Sequence, residues 1–246
     1  MHITNRTILI TGGGSGIGLA IAQLLSDHGN RLILTGRNQA KLEKAAAQVP
    51  NATAIACDIT NAADVTRLVN RVHTEFNDLS VLINNAGHGT NYQLGTNANA
   101  FAIAESEVIT NYLAVVRLTE LLLPVLSQQS EAAIVNVSSI VAFAPQVIIP
   151  TYSASKAALH SYTQALRYTL TKTTAIRVFE LMPPLVDTEL TQEIGGETGI
   201  PPQQVAAELL TGLQQDIDEI LVGQTAQFYE FHRASPSEAF VAMNQR

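Results

Sequence analysis

The chain has 246 residues, enough for one α/β domain or two small ones. Its 46% hydrophobic content is ample for a large core, while a net charge of −7 argues against nucleic acid as a partner. The single cysteine, Cys57, excludes an internal disulfide and reads as a small buried apolar residue. Thr7–Thr11 reads as a buried strand, and Ile17–His28 as a helix. Leu32–Thr35 is a second strand, followed by a helix over Gln39–Gln48 that is rich in Ala, Lys and Glu. Thr53–Cys57 is a third strand, Ala62–Phe76 a third helix, and Val81–Asn84 a fourth strand. A long helix is expected over Ala102–Leu126, with Pro124 near its end. Ala133–Val137, Ile176–Leu181 and Ile220–Val222 complete the strands, and Tyr152–Thr171 is a further helix.

Strands alternating with helices of this length imply right-handed crossovers and a parallel sheet. The strands are almost wholly apolar, as strands covered on both sides should be. The expected class is α/β: a Rossmann-type doubly wound parallel sheet of seven strands with helices on both faces. No Pro/Gly-rich linker divides the chain, so residues 1–246 are expected to form a single domain. No uninterrupted apolar run reaches the ~18 residues of a membrane span. No basic segment followed by an apolar stretch is visible at the start, so a cytoplasmic location is expected.

The first strand runs into Thr11-Gly12-Gly13-Gly14-Ser15-Gly16-Ile17-Gly18 and then a helix. Such a turn lets backbone approach a pyrophosphate, whose charge then faces a helix N-terminus. The second strand ends in Thr35-Gly36-Arg37-Asn38. An acidic residue there would bind a ribose 2′-hydroxyl, whereas an arginine accommodates a 2′-phosphate. Gly36 takes the acidic position and Arg37 follows it, which favours NADP(H) over NAD(H). Ser15 leaves the glycine turn without a base.

Tyr152 and Lys156 stand one helical turn apart, so the ammonium can lie beside the phenol and lower its pKa. Alone, such a pair is equally an ordinary helix contact. Ser139 lies thirteen residues upstream of Tyr152. Strand alternation predicts that only one of Ser138 and Ser139 reaches the site. His88 reads as a loop residue, and Ser153, Ser155 and His160 read as packing or surface residues of the helix. No set of His, Cys, Asp and Glu has metal-ligand spacing, so no metal is expected.

Together these motifs resemble the short-chain dehydrogenase/reductase family over nearly the whole chain. The glycine spacing, Asn84-Asn85-Ala86-Gly87, Asp58, Asn111, Ser139, Tyr152 and Lys156 all fall in the family's order. The resemblance implies a hydride transfer between nicotinamide and a carbonyl or secondary alcohol. It makes Tyr152 the general acid/base, Ser139 a donor to the reacting oxygen, and Lys156 a tuner of Tyr152 and a ribose ligand. Asn111 would hold a water that returns protons. Cofactor contacts are implied for Gly12, Gly14, Ser15, Gly16, Ile17, Gly18, Arg37, Asp58, Ile59, Asn85, Ala86, Gly87, Tyr152, Lys156, Pro183, Val186 and Thr188. Asp58 would meet the adenine, and Val186 and Thr188 the carboxamide, although Pro184 replaces the family's glycine. Residues 1–100 would be mainly the cofactor half and 101–246 the catalytic and substrate half. Residues Glu189–Gln204, with Gly195-Gly196, Gly199 and Pro201-Pro202, would form a mobile loop over substrate.

Lys156-Ala157-Ala158-Leu159-His160-Ser161 and Pro183-Pro184-Leu185-Val186-Asp187-Thr188 are similar to the DltE-like branch of that family. The branch supplies no substrate. The family's long helices imply at least a homodimer. The segment after Val222 departs from the usual Val-Asp-Gly-Gly and puts a tetramer in doubt. A small-molecule carbonyl or alcohol is the expected substrate. Two alternatives are a ketoacyl reductase working on a carrier-linked substrate and a non-catalytic NADP-sensing protein. The ten acidic residues from Glu180 to Glu230 disfavour an acidic carrier.

Overall fold

The computed structural model describes residues 1–245. Seven strands form its sheet: β1 (Thr7–Thr11), β2 (Arg31–Gly36), β3 (Ala52–Ala56), β4 (Leu79–Asn84), β5 (Ala132–Val137), β6 (Ile176–Met182) and β7 (Glu219–Leu221). Their order is β3-β2-β1-β4-β5-β6-β7, and every pairing is parallel. The helices are α1 (Gly16–Ser26), α2 (Gln39–Ala46), α3 (Ala62–Glu75), α4 (Ala100–Val108), α5 (Ala114–Leu126), α6 (Pro150–Thr173), α7 (Pro202–Gln214), α8 (Thr225–Ala234) and α9 (Pro236–Asn244).

Strand alternation divides the core into two layers. Ile8 and Ile10 of β1 pack with Ile21 and Leu25 of α1, Leu42 of α2 and Leu209 of α7. Leu9, between them, faces the opposite layer with Val65 and Leu68 of α3 and Leu118 and Leu122 of α5. Full burial of each such side chain contributes about 1.5–3 kcal/mol. The strand order reverses between β1 and β4, so a crevice opens at their carboxyl ends.

Local sequence explains several boundaries. Asn38 caps α2 by accepting from the Lys41 amide, and Asn61 caps α3 by accepting from Ala63 and Asp64. Pro150, Pro202 and Pro236 open α6, α7 and α9, where a missing N–H costs nothing.

Two expectations need correction, and three helices were not foreseen. The expected helix over 102–126 is interrupted by a π-helical turn, Ile109–Leu113, which gives α4 and α5. By length and composition the stretch Ala100–Leu126 could cross a membrane. Here Leu118, Leu122 and Val125 instead pack on the sheet. Residues 189–204 are not a plain loop. They form two 3-10 turns (Glu189–Ile194 and Gly196–Thr198) and the start of α7. The Thr191 hydroxyl pins them by donating to the Val186 carbonyl. Helices α7, α8 and α9 were not legible as elements in the sequence. The Asn244 side chain ties α9 to the 145–147 segment, bonding Val147 N at 2.8 Å and Pro145 O at 3.0 Å.

Candidate active site

The crevice is a cleft of about 640 Å³. One end is made by the glycine turn. Gly12 has φ +67, which only glycine adopts freely. A Cβ on Gly18 would stand 2.4 Å from the Gly12 carbonyl oxygen, so a side chain there would push α1 off β1. The Asn85 side chain holds the turn from across the crevice, donating to the Thr11 carbonyl at 2.9 Å and the Gly12 carbonyl at 3.3 Å. The Thr11 hydroxyl accepts from the amides of Asn85 and Ala86 at 2.9 and 3.0 Å. Ser15 precedes α1 without capping it, which leaves the helix N-terminus to the cleft.

Gly12, Gly14, Ser15, Gly16, Ile17, Arg37, Ile59, Asn85, Ala86, Gly87, Pro183, Val186 and Thr188 all line this cleft. Gly18 lies behind it. Asp58 also stands back, because its carboxylate folds onto Thr60, accepting from the amide at 2.9 Å and the hydroxyl at 2.7 Å. Its neighbours Cys57, Ile59 and Thr60 form the wall instead. Burial pushes the Cys57 thiol up to about 11, with Asp64 adding to it, so the sulfur stays protonated and unreactive. Arg37 is exposed and makes no ion pair among the described residues.

At the other end stand Ser139, Tyr152 and Lys156. Ser139 opens a 3-10 turn after β5, and Tyr152 and Lys156 lie in the first two turns of α6. The Ser139 hydroxyl lies close enough to the Tyr152 phenol to favour its ionised form. Its other contacts are long, 3.5 Å to Pro183 O and 3.4 Å from Val141 N, which leaves the hydroxyl free to turn. The Lys156 ammonium donates to the Val137 carbonyl at 2.8 Å and lies 5.5 Å from the Tyr152 ring centroid.

That geometry corrects the expected tuning. Burial pushes the Tyr152 phenol well above its ordinary value, and the Glu107 carboxylate adds to this, while the Ser139 hydroxyl works the other way. Burial brings the Lys156 ammonium down to about 8, opposed by Glu180. The protein groups alone therefore hold Tyr152 protonated. Lys156 shares a face with Tyr152 but aims its charge at a strand carbonyl.

Asn111 sits on the π-helical turn, buried, and not on the cleft wall. Its amide clamps the loop after β4, accepting from His88 N at 2.8 Å and donating to His88 O at 2.7 Å and Ser155 Oγ at 2.9 Å. Ser155 is thus a link between Asn111 and α6. Both Ser138 and Ser139 line the cleft, because β5 ends at Val137 and the pleat no longer applies. The Ser138 hydroxyl donates to the fully buried Glu180, which also bonds His160 Nδ1 at 2.9 Å. His160 is consequently a hydrogen-bond partner of Glu180, its pKa raised chiefly by that bond. His160, Glu180 and Glu219 bring ligand atoms within 4.8 Å of one another. Ser138 and Arg167 already engage the two carboxylates.

Sequence reasoning also missed Glu107. It is fully buried, accepts from Thr90 N at 2.8 Å, and keeps its second oxygen without a partner among the described residues. It directly follows Glu105 and Ser106, so nothing in the local sequence marked it.

A second cavity of about 210 Å³ adjoins the cleft. Ser139 and Tyr152 line both spaces. Its other walls include Ile140, Val141, Ile149, Leu185, Leu190, Ile194 and Met243, with Gln146 and Gln224, and no charged residue.

A nicotinamide dinucleotide fits these residues. The glycine turn and open helix end suit a pyrophosphate, the unpaired Arg37 suits a phosphate, and a proton donor stands beside an uncharged pocket. The model of the short chain dehydrogenase family matches residues 6–198. The chain belongs to the short-chain dehydrogenase/reductase family and is a short-chain NAD(P)-dependent oxidoreductase.

Within that family it is DltE-like. It is 36% identical over 249 residues to the uncharacterized oxidoreductase DltE of Bacillus subtilis (strain 168), covering 99% of this chain and 98% of that one. Its structure is similar to a short chain dehydrogenase from Burkholderia cenocepacia J2315 in complex with NADP, at 25% identity and TM-score 0.88 over 100% of both chains. It is also similar to a 3-ketoacyl-(acyl-carrier-protein) reductase from Brucella melitensis complexed with NADH. That likeness has 27% identity and TM-score 0.80, over 86% of this chain and 91% of that one.

Proposed function

We propose that the protein is an NADP(H)-dependent reductase of small or medium, neutral carbonyl compounds, with Tyr152 as the proton donor. The observation that carries this reading is the position of Ser139 and Tyr152 on the wall shared by cleft and side pocket. A carbonyl seated in the pocket would meet both hydroxyls at its oxygen and open its carbon toward the cleft. When bound, the nicotinamide supplies or takes up the hydride, and its oxidised ring brings a positive charge.

Tyr152, held protonated by its surroundings, is ready to give a proton to the developing alkoxide. Ser139 holds the same oxygen by a second hydrogen bond, aimed where charge develops. Lys156 would hold the ribose hydroxyls with an ammonium anchored on Val137 O. Asn111 keeps the His88 loop and α6 in register and so positions Tyr152. The glycine turn, Ile17 and Asn85–Gly87 would hold the dinucleotide, and Arg37 a 2′-phosphate. Val186 and Thr188, which also line the cleft, would hold the nicotinamide.

The uncharged lining of the side pocket, and its size, support a neutral substrate. A homodimer forms through α4, α5 and α6, where Phe101, Leu121 and Tyr168 are exposed. A cytoplasmic setting suits a reductase that draws on reduced cofactor.

The likeness to the Brucella reductase favours a second reading, a ketoacyl reductase acting on a carrier-linked substrate. Asp187, Glu189, Glu193 and Glu197 are exposed in the segment after β6, and their charge opposes an acidic carrier. The test is NADPH consumption over a panel of neutral aldehydes and ketones beside carrier-linked ketoacyl substrates. The first reading expects turnover of free apolar carbonyls. Turnover confined to carrier-linked substrates contradicts it, and none with any carbonyl favours a sensing protein.

A further inference from the structure

We propose that Lys41 is a second cation for the 2′-phosphate of NADP(H), and that Glu189 occupies Lys41 until that phosphate arrives. This rests on the NADP(H) reading and deepens it. A phosphate monoester carries about −1.5 to −2 charges near pH 7, more than one guanidinium neutralises. Lys41 stands four residues after Arg37, and both line the cleft. Asn38 fixes the start of α2 by accepting from the Lys41 amide at 3.0 Å, so the side chain leaves from a set position. The stem passes over the glycine turn: Lys41 Cγ lies 3.6 Å from where a Cβ on Gly14 would stand. A base absent from the turn itself is thus supplied above it by the neighbouring helix.

The Lys41 ammonium is not satisfied by its own helix. It reaches Glu189 Oε2 at 2.5 Å, 148 residues away, on the first turn after Thr188. The two side chains are 38% and 67% exposed. An ion pair that open contributes little, so a phosphate can replace the carboxylate at small cost. Glu189 then acts as a competing anion, one that discriminates by its removal: NADH has nothing to compete with it.

The test is calorimetric titration of the full chain with NADPH and with NADH, on wild type, Arg37→Gln, Lys41→Gln and Glu189→Gln. Lys41→Gln should weaken NADPH about 10- to 100-fold, the loss of one charged hydrogen bond. NADH affinity should stay within about twofold, which also reports an intact fold. Glu189→Gln should tighten NADPH by about two- to fivefold and leave NADH unchanged. Unchanged NADPH affinity in Lys41→Gln overturns the proposal. So does an equal loss for both nucleotides, which would put Lys41 on the pyrophosphate. If wild type prefers NADPH and Arg37→Gln removes that preference while Lys41→Gln does not, the Lys41 role alone falls. If wild type binds both nucleotides equally, the NADP(H) reading falls and the Lys41 role with it.

Discussion

At the dinucleotide end of the cleft, Gly12, Ser15 and Gly16 offer backbone around a helix N-terminus. At the chemical end, Ser139, Tyr152 and Lys156 offer buried side chains from a turn and a helix. Gly12 and Gly18 at the first end tolerate almost no added atoms, because neighbouring groups approach them closely. The second tolerates little change of charge, because burial has already moved its pKa values. Backbone sites should therefore fail by steric damage and loss of stability, and side-chain sites by loss of chemistry in an intact fold.

The sharpest contrast is expected from Lys156→Met. Turnover should fall by about 10²-fold, because the ammonium that would hold the ribose, and with it the reacting ring, is lost. Melting should show the fold retained. In wild type, kcat/KM should fall as pH rises through about 8, where Lys156 loses its charge. The stability contribution has the opposite sign. Lys156 is lowered on folding, so its charge opposes the fold below about 8, and that opposition fades as pH rises toward 10.5. Wild type should accordingly gain stability relative to Lys156→Met across that window, as pH-dependent denaturation would read.

Gly18→Val tests the backbone end. Its Cβ would meet the Gly12 carbonyl at 2.4 Å. A loss of about 1–3 kcal/mol in stability is expected from such overpacking, with nucleotide binding lost alongside. Weak nucleotide binding without destabilisation would break the contrast. Glu107→Gln should give the smallest effect. Removing this charge lowers the Tyr152 pKa, and the rate at pH 7 should change by less than about threefold. A pH–rate profile that does not move at its upper end would show that Glu107 does not bear on Tyr152.

The same contrast explains what the sequence could tell. The glycine turn is contiguous and its chemistry follows from spacing, so it was legible in the sequence alone. So was the sheet, because β1 to β6 are nearly unbroken apolar runs. Ser139, Tyr152 and Lys156 were legible only as members of a familiar pattern. Their surroundings were not, because the partners are distant in sequence: Glu107 meets Thr90, Asn111 meets His88 and Ser155, and Glu180 meets Ser138 and His160. The expected depression of the Tyr152 pKa failed for this reason. Helical spacing gives proximity, while the depth of burial and the distant Glu107 and Glu180 carboxylates shift the two groups. Helices α8 and α9 lack a clear sequence signature because they are short and keep much of their apolar surface exposed, as with Phe231, Phe240 and Val241. The Lys41–Glu189 pair joins residues 148 apart and has no local signature.

The most direct test of the central claim is Tyr152→Phe, assayed with NADPH and a neutral carbonyl substrate found in the screen. Turnover should fall by about 10²–10⁴-fold while NADPH affinity, measured by titration, stays near wild type. Turnover at the wild-type rate in that variant would contradict the assignment of Tyr152 as the proton donor.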